Sequence, residues 1–317
     1  MTLTDLLAFV PGWFLYTAVI AFGLIWGSFL NVVIYRVPRS MSIVRPASHC
    51  PSCGKPISGY DNIPVLSYVV LRGRARCCGA KISPRYPLIE LIGGALSCAI
   101  WTVIILRLPE SVSVARAMAI YGANFALCLG LVAAAFIDAE YMFLPDSITI
   151  SGIVLGIATS HLRDMPTSAS ITGTIVGFLA VWLPFIFLYK KLLGRTGMGL
   201  GDAKLIALAG AWFDWQGALF VIFAGAMQAA AYALMLHVFG VETKLPPAVL
   251  EDIEALKKAA AEGDEEAQRE LQEDPLTEEG ENAPNRTRIP FGPFLILACL
   301  ELLFAGDWIA NRFGIWL

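Results

Sequence analysis

Gly197-Met198-Gly199-Leu200-Gly201-Asp202-Ala203-Lys204 is a glycine-rich turn that ends in an acid and stands between two long apolar runs. A carboxylate where a membrane helix begins is costly and marks a candidate functional group. Its natural partner is Asp138, which closes the apolar run 127–137 and opens Asp138-Ala139-Glu140-Tyr141-Met142-Phe143-Leu144-Pro145-Asp146. Each acid also has a plainer reading. Asp202 and Asp146 sit where helix N-caps belong, and Asp138 can be an interfacial charge, although a helix C-terminus disfavours an anion.

Outward from this turn the chain is apolar almost throughout. With 57% hydrophobic and 15% charged residues in 317, it has too little polar surface to cover a soluble globule, which points to an all-α polytopic membrane protein. A spanning helix needs about 20 mostly apolar residues. About eight segments qualify, at 15–35, 88–106, 114–137, 147–161, 171–193, 203–212, 217–239 and 291–304; the fourth, sixth and last are short. The first run leads into Asn31 and Arg36 and not into a small-residue cleavage site, so it is expected to anchor the chain.

Charge sets the expected orientation. The loop 36–87 carries nine basic residues against one acid, Asp61, so the positive-inside rule makes it cytoplasmic and the amino terminus external. Counting spans from there puts Asp138, Asp202 and the acidic block on the same cytoplasmic face, with the opposite turns around Pro109, Pro166 and Trp215. Residues 241–285 hold 14 of the 26 acids and 4 of the 23 basic residues. That composition fits a solvated loop or a surface helix over 248–271. The chain divides into an anchor (1–35), a basic cysteine-bearing loop (36–87), a membrane core with both acids (88–240), an acidic insertion (241–289) and a last span (290–317).

Two acids sharing a site suit peptide hydrolysis, because one takes a proton from water while the other, protonated, polarises the carbonyl. Gly199 and Gly201 would let a substrate backbone approach, and Asp146 and Lys204 are expected to support the pair. A second group is Cys50-Pro51-Ser52-Cys53-Gly54 and Cys77-Cys78-Gly79 in the basic loop. Four thiolates in a cytoplasmic loop favour tetrahedral zinc over disulfides. A zinc ribbon normally repeats C-x-x-C, whereas here the second pair is adjacent and Ala75 stands three residues before Cys78; His49 is an alternative ligand. Cys98, Cys128 and Cys299 read as small buried hydrophobes within spans. Asn31 and Glu90 are polar residues near the cytoplasmic ends of spans, where interhelical hydrogen bonding is the plain expectation.

Together these stretches resemble the type IV prepilin peptidase family. The resemblance rests on 27–36 with Pro38, the Cys50–Cys53 loop, Asp61-Asn62-Ile63-Pro64, 83–90, Asp138 with Leu144-Pro145-Asp146, Gly199-Leu200-Gly201-Asp202, and Pro290-Phe291-Gly292-Pro293-Phe294, in the family's order. It implies a bacterial inner-membrane aspartyl protease that removes the basic leader of type IV prepilins or type II secretion pseudopilins on the cytoplasmic side, with Asp138 and Asp202 catalytic. It also implies methylation of the new amino terminus by S-adenosylmethionine, a property tied to the cysteine loop; Asn31 and Glu90 are associated with that region. No cofactor is expected for proteolysis, and the expected partners are prepilins and the lipid bilayer, not nucleic acid. Two other readings are a presenilin-like protease of general membrane helices and a transporter with a glycine-broken helix. A third is a non-enzymatic zinc-ribbon assembly protein.

Overall fold

The computed structural model describes residues 1–194, 196–241, 245–265, 267, 268, 271 and 289–313. Its helices are α1 (Leu3–Phe9), α2 (Gly12–Arg36), α3 (Leu66–Val70), α4 (Arg85–Ala99), α5 (Val114–Tyr141), α6 (Asp146–Ala158), α7 (Thr167–Val181), α8 (Tyr189–Leu193), α9 (Leu200–Val238), α10 (Pro247–Ala261) and α11 (Gly292–Phe313). Among the described residues no strand forms, only isolated bridges. Residues 272–285 of the acidic block lie outside the described set, and its earlier part forms α10.

Two helices run on through irregular turns. α4 continues to Arg107, and α7 passes through wide π-type turns at Trp182–Leu188 into α8. Pro184 lies inside the second segment, where its missing N–H and its ring disrupt the regular ladder.

Among the described residues six helices are long and apolar enough to cross a membrane, against the eight segments expected. The difference is physical. α6 has 13 residues, about 20 Å at 1.5 Å per residue. The 39 residues of α9 include non-helical backbone at Phe213 and Asp214, and there the chain turns back. A methyl group built on Gly177 would lie 2.6 Å from the Ile206 carbonyl oxygen and 3.2 Å from Ala218 Cβ. In a straight helix those twelve residues would separate the two positions by about 18 Å. α9 is therefore a helical hairpin with limbs 200–212 and 215–238, in keeping with the expected pair 203–212 and 217–239.

The chain forms two compact units, Met1–Ala133 and Ala134–Leu317, with α5 contributing to both. In the first, α2 and α4 pack so closely that a side chain at Gly27 would strike the Glu90 backbone, its Cβ 2.8 Å from Glu90 Cα. The Phe22 ring lies tilted against those of Phe125 and Tyr121, at centroid distances of 5.2 and 6.1 Å. In the second unit α7 lies against both limbs of the hairpin, α6 against the first limb and α11 against the second.

The limb 200–212 and α6 lie side by side and parallel. Their amino ends meet where Gly201 abuts Leu144 and Lys204 reaches Asp146, and their carboxyl ends meet where Gly156 abuts Trp212. A short helix ending inside the protein leaves its last carbonyls without partners. Arg163 satisfies them: its guanidinium donates to the carbonyls of Trp212, Ala211 and Gly156 and lies 4.3 Å over the Trp212 ring. Ser170 Oγ adds a bond to the Ala211 carbonyl at 2.7 Å.

Candidate active site and thiol cluster

Asp138 occupies the last turn of α5 and is buried, with 6% of its surface exposed. The negative end of its own helix is a poor place for a carboxylate. α11 supplies the compensation: Gly292 opens that helix, and its otherwise unpaired backbone N–H donates to Asp138 Oδ2 at 2.9 Å. Only glycine fits there. A Cβ on Gly292 would stand 2.6 Å from Asp138 Oδ2 and 2.9 Å from Cγ.

Asp202 is half-buried and is the third residue of α9, whose N-cap is Gly199. Its carboxylate turns back toward the Gly199 backbone N–H, the reciprocal half of a capping box. It is therefore not an N-cap. Asp138 and Asp202 are near enough for their charges to interact. Gly199 leaves no spare room beside the carboxylate, since a Cβ there would lie 3.3 Å from Asp202 Oδ2. Gly201 faces Leu144 at 3.1 Å in the same sense, pressing the glycine turn onto the segment that follows Asp138.

Asp146 is the first residue of α6, and its side chain makes no cap to that helix. It is largely exposed and pairs with Lys204 Nζ at 2.5 Å. That ion pair ties the amino ends of the two parallel short helices together, and both macrodipoles direct their positive ends toward the acids. The contribution of Gly292 was invisible in the sequence because its working group is a backbone amide; its place in Pro290-Phe291-Gly292-Pro293-Phe294 was the only signal.

In the other unit the four loop cysteines converge. Sγ atoms are 3.7 Å apart for Cys50 and Cys78, 3.4 Å for Cys53 and Cys77, and 3.9 Å for Cys77 and Cys78, and all four fall within 4.8 Å of one another. A tetrahedral zinc with Zn–S near 2.3 Å needs sulfurs about 3.8 Å apart, so the set fits such an ion. His49 is not in the cluster; its ring faces the Ala47 carbonyl. Backbone N–H groups of Cys53 and Ser52 point at Cys50 and bring its thiol down to about 6, while the shared hydrogen bond with Cys53 pushes Cys77 up to about 12. Without a cation, charge on Cys50 adds to the upward push on Cys77.

The surrounding loop is braced from the membrane helices. Glu90 Oε2 accepts the Val65 N–H at 2.7 Å, holding the start of α3, where Val65 adopts φ +60°. Asn31 Nδ2 donates to the Tyr86 carbonyl at 3.2 Å, joining α2 to the start of α4. Buried Arg36 donates to the carbonyls of Ser42 and Pro46 at 2.8 and 2.7 Å. Asp61 receives the Arg76 Nε at 2.9 Å, linking the α3 approach to the second cysteine pair. Of the other cysteines, Cys128 and Cys299 are buried and Cys98 is half-buried, all within long helices.

A model of the bacterial peptidase A24 N-terminal domain matches residues 21–104, and one of the type IV leader peptidase family matches 125–234. Among curated relatives, a prepilin leader peptidase/N-methyltransferase of Myxococcus xanthus is 36% identical over 317 residues, covering 91% of this chain and 90% of that protein. Proteins of the same name from Klebsiella pneumoniae and Pseudomonas putida are 37% and 35% identical, over 66% and 68% of this chain and 87% and 78% of their own lengths. No solved structure matches. With both halves matched and a relative aligned almost end to end, the chain belongs to the type IV leader peptidase family.

Proposed function

We propose that this chain removes the leader peptide from type IV prepilins or related pseudopilins and methylates the new amino terminus. The observation that carries the first activity is that Asp138 and Asp202 lie near enough for their charges to interact, Asp202 in the first turn of α9. One acid, ionised, takes a proton from the attacking water. The other, protonated, donates to the scissile carbonyl oxygen, and a proton then passes to the leaving amine. Gly199 puts no side chain beside the Asp202 carboxylate, and Gly201 lets the turn close on Leu144. Asp146 and Lys204 hold the first limb of α9 in register with α6.

The site faces the cytoplasm in this reading, in a bacterial inner membrane. The basic loop 36–87 supports that orientation. A substrate whose apolar helix stays in the bilayer and whose basic leader stays in the cytoplasm would present its scissile bond at the acids.

For methylation, S-adenosylmethionine would supply the methyl group. No residue of this chain is assigned to hold it, since Asn31 Nδ2 and Glu90 Oε2 both serve backbone partners; we take those two to brace the loop on which the activity depends. Cys50, Cys53, Cys77 and Cys78 would hold zinc as a structural ion, stabilising the loop outright.

The test is leader removal from a purified prepilin in detergent by wild type, Asp138→Asn and Asp202→Asn. Both variants are expected to lose cleavage. Undiminished removal by either one would sink the pairing.

A further inference from the structure

The two cysteine pairs are copies of one backbone turn, 25 residues apart. In the first, Cys50 N–H donates to the Lys55 carbonyl at 2.8 Å, Gly54 N–H to Cys50 at 2.8 Å and Ile57 N–H to Ser48 at 3.0 Å. In the second, Ala75 N–H donates to Ala80 at 2.8 Å, Gly79 N–H to Ala75 at 2.8 Å and Ile82 N–H to Gly73 at 2.8 Å. The bridges His49–Pro56 and Arg74–Lys81 keep the same offset, and Gly54 and Gly79 share positive φ values of 69° and 72°. Superposed by this pattern, Cys78 stands where Cys53 does, and Ala75 stands where Cys50 does.

The turn is thus intact at Ala75 while its first sulfur is missing. Cys77, at the turn's third position, brings a sulfur to 3.4 Å from Cys53 and 3.9 Å from Cys78. We infer that the second turn carries its metal ligand at the third position where the first turn carries one at the first, so that Cys77 fills a tetrathiolate site and position 75 is still placed to hold a ligand. The Ser52 and Cys53 amides that receive Cys50 sulfur have counterparts in the Cys77 and Cys78 amides. A thiolate placed at position 75 would meet the same two donors. The inference rests on the metal reading above, and it concerns which residues complete the site.

The experiment measures bound zinc per chain, and thiolate-to-metal absorption after Co²⁺ substitution, in full-length wild type, Cys77→Ser and the double variant Ala75→Cys/Cys77→Ser. Leader removal serves as the check that each chain is folded. Cys77→Ser is expected to retain metal at least ~10-fold less well against a chelator, since loss of a ligand exceeds the effect of losing its supporting hydrogen bond. The double variant should recover both the metal and the four-sulfur spectrum. Cys77→Ser with wild-type metal content and an unchanged spectrum would overturn the inference while leaving the zinc site standing, as would a double variant no better than the single one. A wild-type chain that takes up neither metal would overturn the zinc reading and the inference with it.

Discussion

The two units of the molecule are organised by opposite means. In Met1–Ala133 the functional groups are gathered locally: the four cysteines lie within 50–78, and their turns are closed by backbone bonds a few residues long. In Ala134–Leu317 they are gathered from afar. Asp138, Asp202 and Gly292 come from three different helices, and none of them is adjacent to the others in sequence. A cluster made of local turns is expected to tolerate a shifted ligand, because each turn forms on its own. A pair made by helix packing has no such slack, because moving either helix moves an acid.

That contrast is broken most severely at the acids. Asp138→Asn or Asp202→Asn is expected to lower the rate of leader removal by about 10²–10⁴-fold, with the zinc content of the loop unchanged, as read by a cleavage assay and metal analysis on the same preparation. Gly292→Val comes next. A side chain there must push Asp138 or α11 aside, and a displacement near 1 Å is expected to cost about 10²-fold in rate; cleavage close to wild type would mean that the amide bond to Asp138 is dispensable.

Cys50→Ser strikes the other unit. It is expected to reduce metal retention and methyl transfer at least ~10-fold, with leader removal near the wild-type rate, as read by label transfer from S-adenosylmethionine beside the cleavage assay. Equal loss of both activities would show that the units do not act separately.

Smaller still is Arg163→Met, which leaves the carbonyls of Trp212, Ala211 and Gly156 without their charged donor. It is expected to destabilise the chain by about 1.5–3 kcal/mol, the range for a hydrogen bond to a charged group, seen as a lower thermal midpoint in detergent. Partial recovery in Arg163→Lys would separate lost charge from lost shape.

Much of this was legible in the amino-acid sequence, for identifiable reasons. Apolar run length marked the helices, and the turn expected around Trp215 is the reversal at Phe213–Asp214. The acids stood out because they interrupt such runs. What stayed hidden was carried by backbone. The Gly292 amide has no side chain to announce it, and the Val65 amide that occupies Glu90 is equally silent. The 25-residue repeat is faint in the sequence because its two copies share a hydrogen-bond pattern but few residues: Cys53 with Cys78, Gly54 with Gly79, Ile57 with Ile82 and Ser58 with Ser83. Arg163 belongs to no motif, and two of the three carbonyls it caps, those of Ala211 and Trp212, lie far along the chain.

The bond from Gly292 to Asp138 also bears on the acidic insertion that precedes it. α9 ends at Val238 and α11 begins at Gly292; the described residues between them include α10, and the start of α11 is fixed at the candidate site. The entropy of closing a loop grows only logarithmically with its length, about 0.6 kcal/mol for each doubling. Replacing 247–285 with a linker half as long should therefore leave cleavage within about 3-fold, provided Pro290-Phe291-Gly292 still docks. The length of this block is thus a weak lever on the site, while Gly292 just beyond it is held by the Asp138 carboxylate.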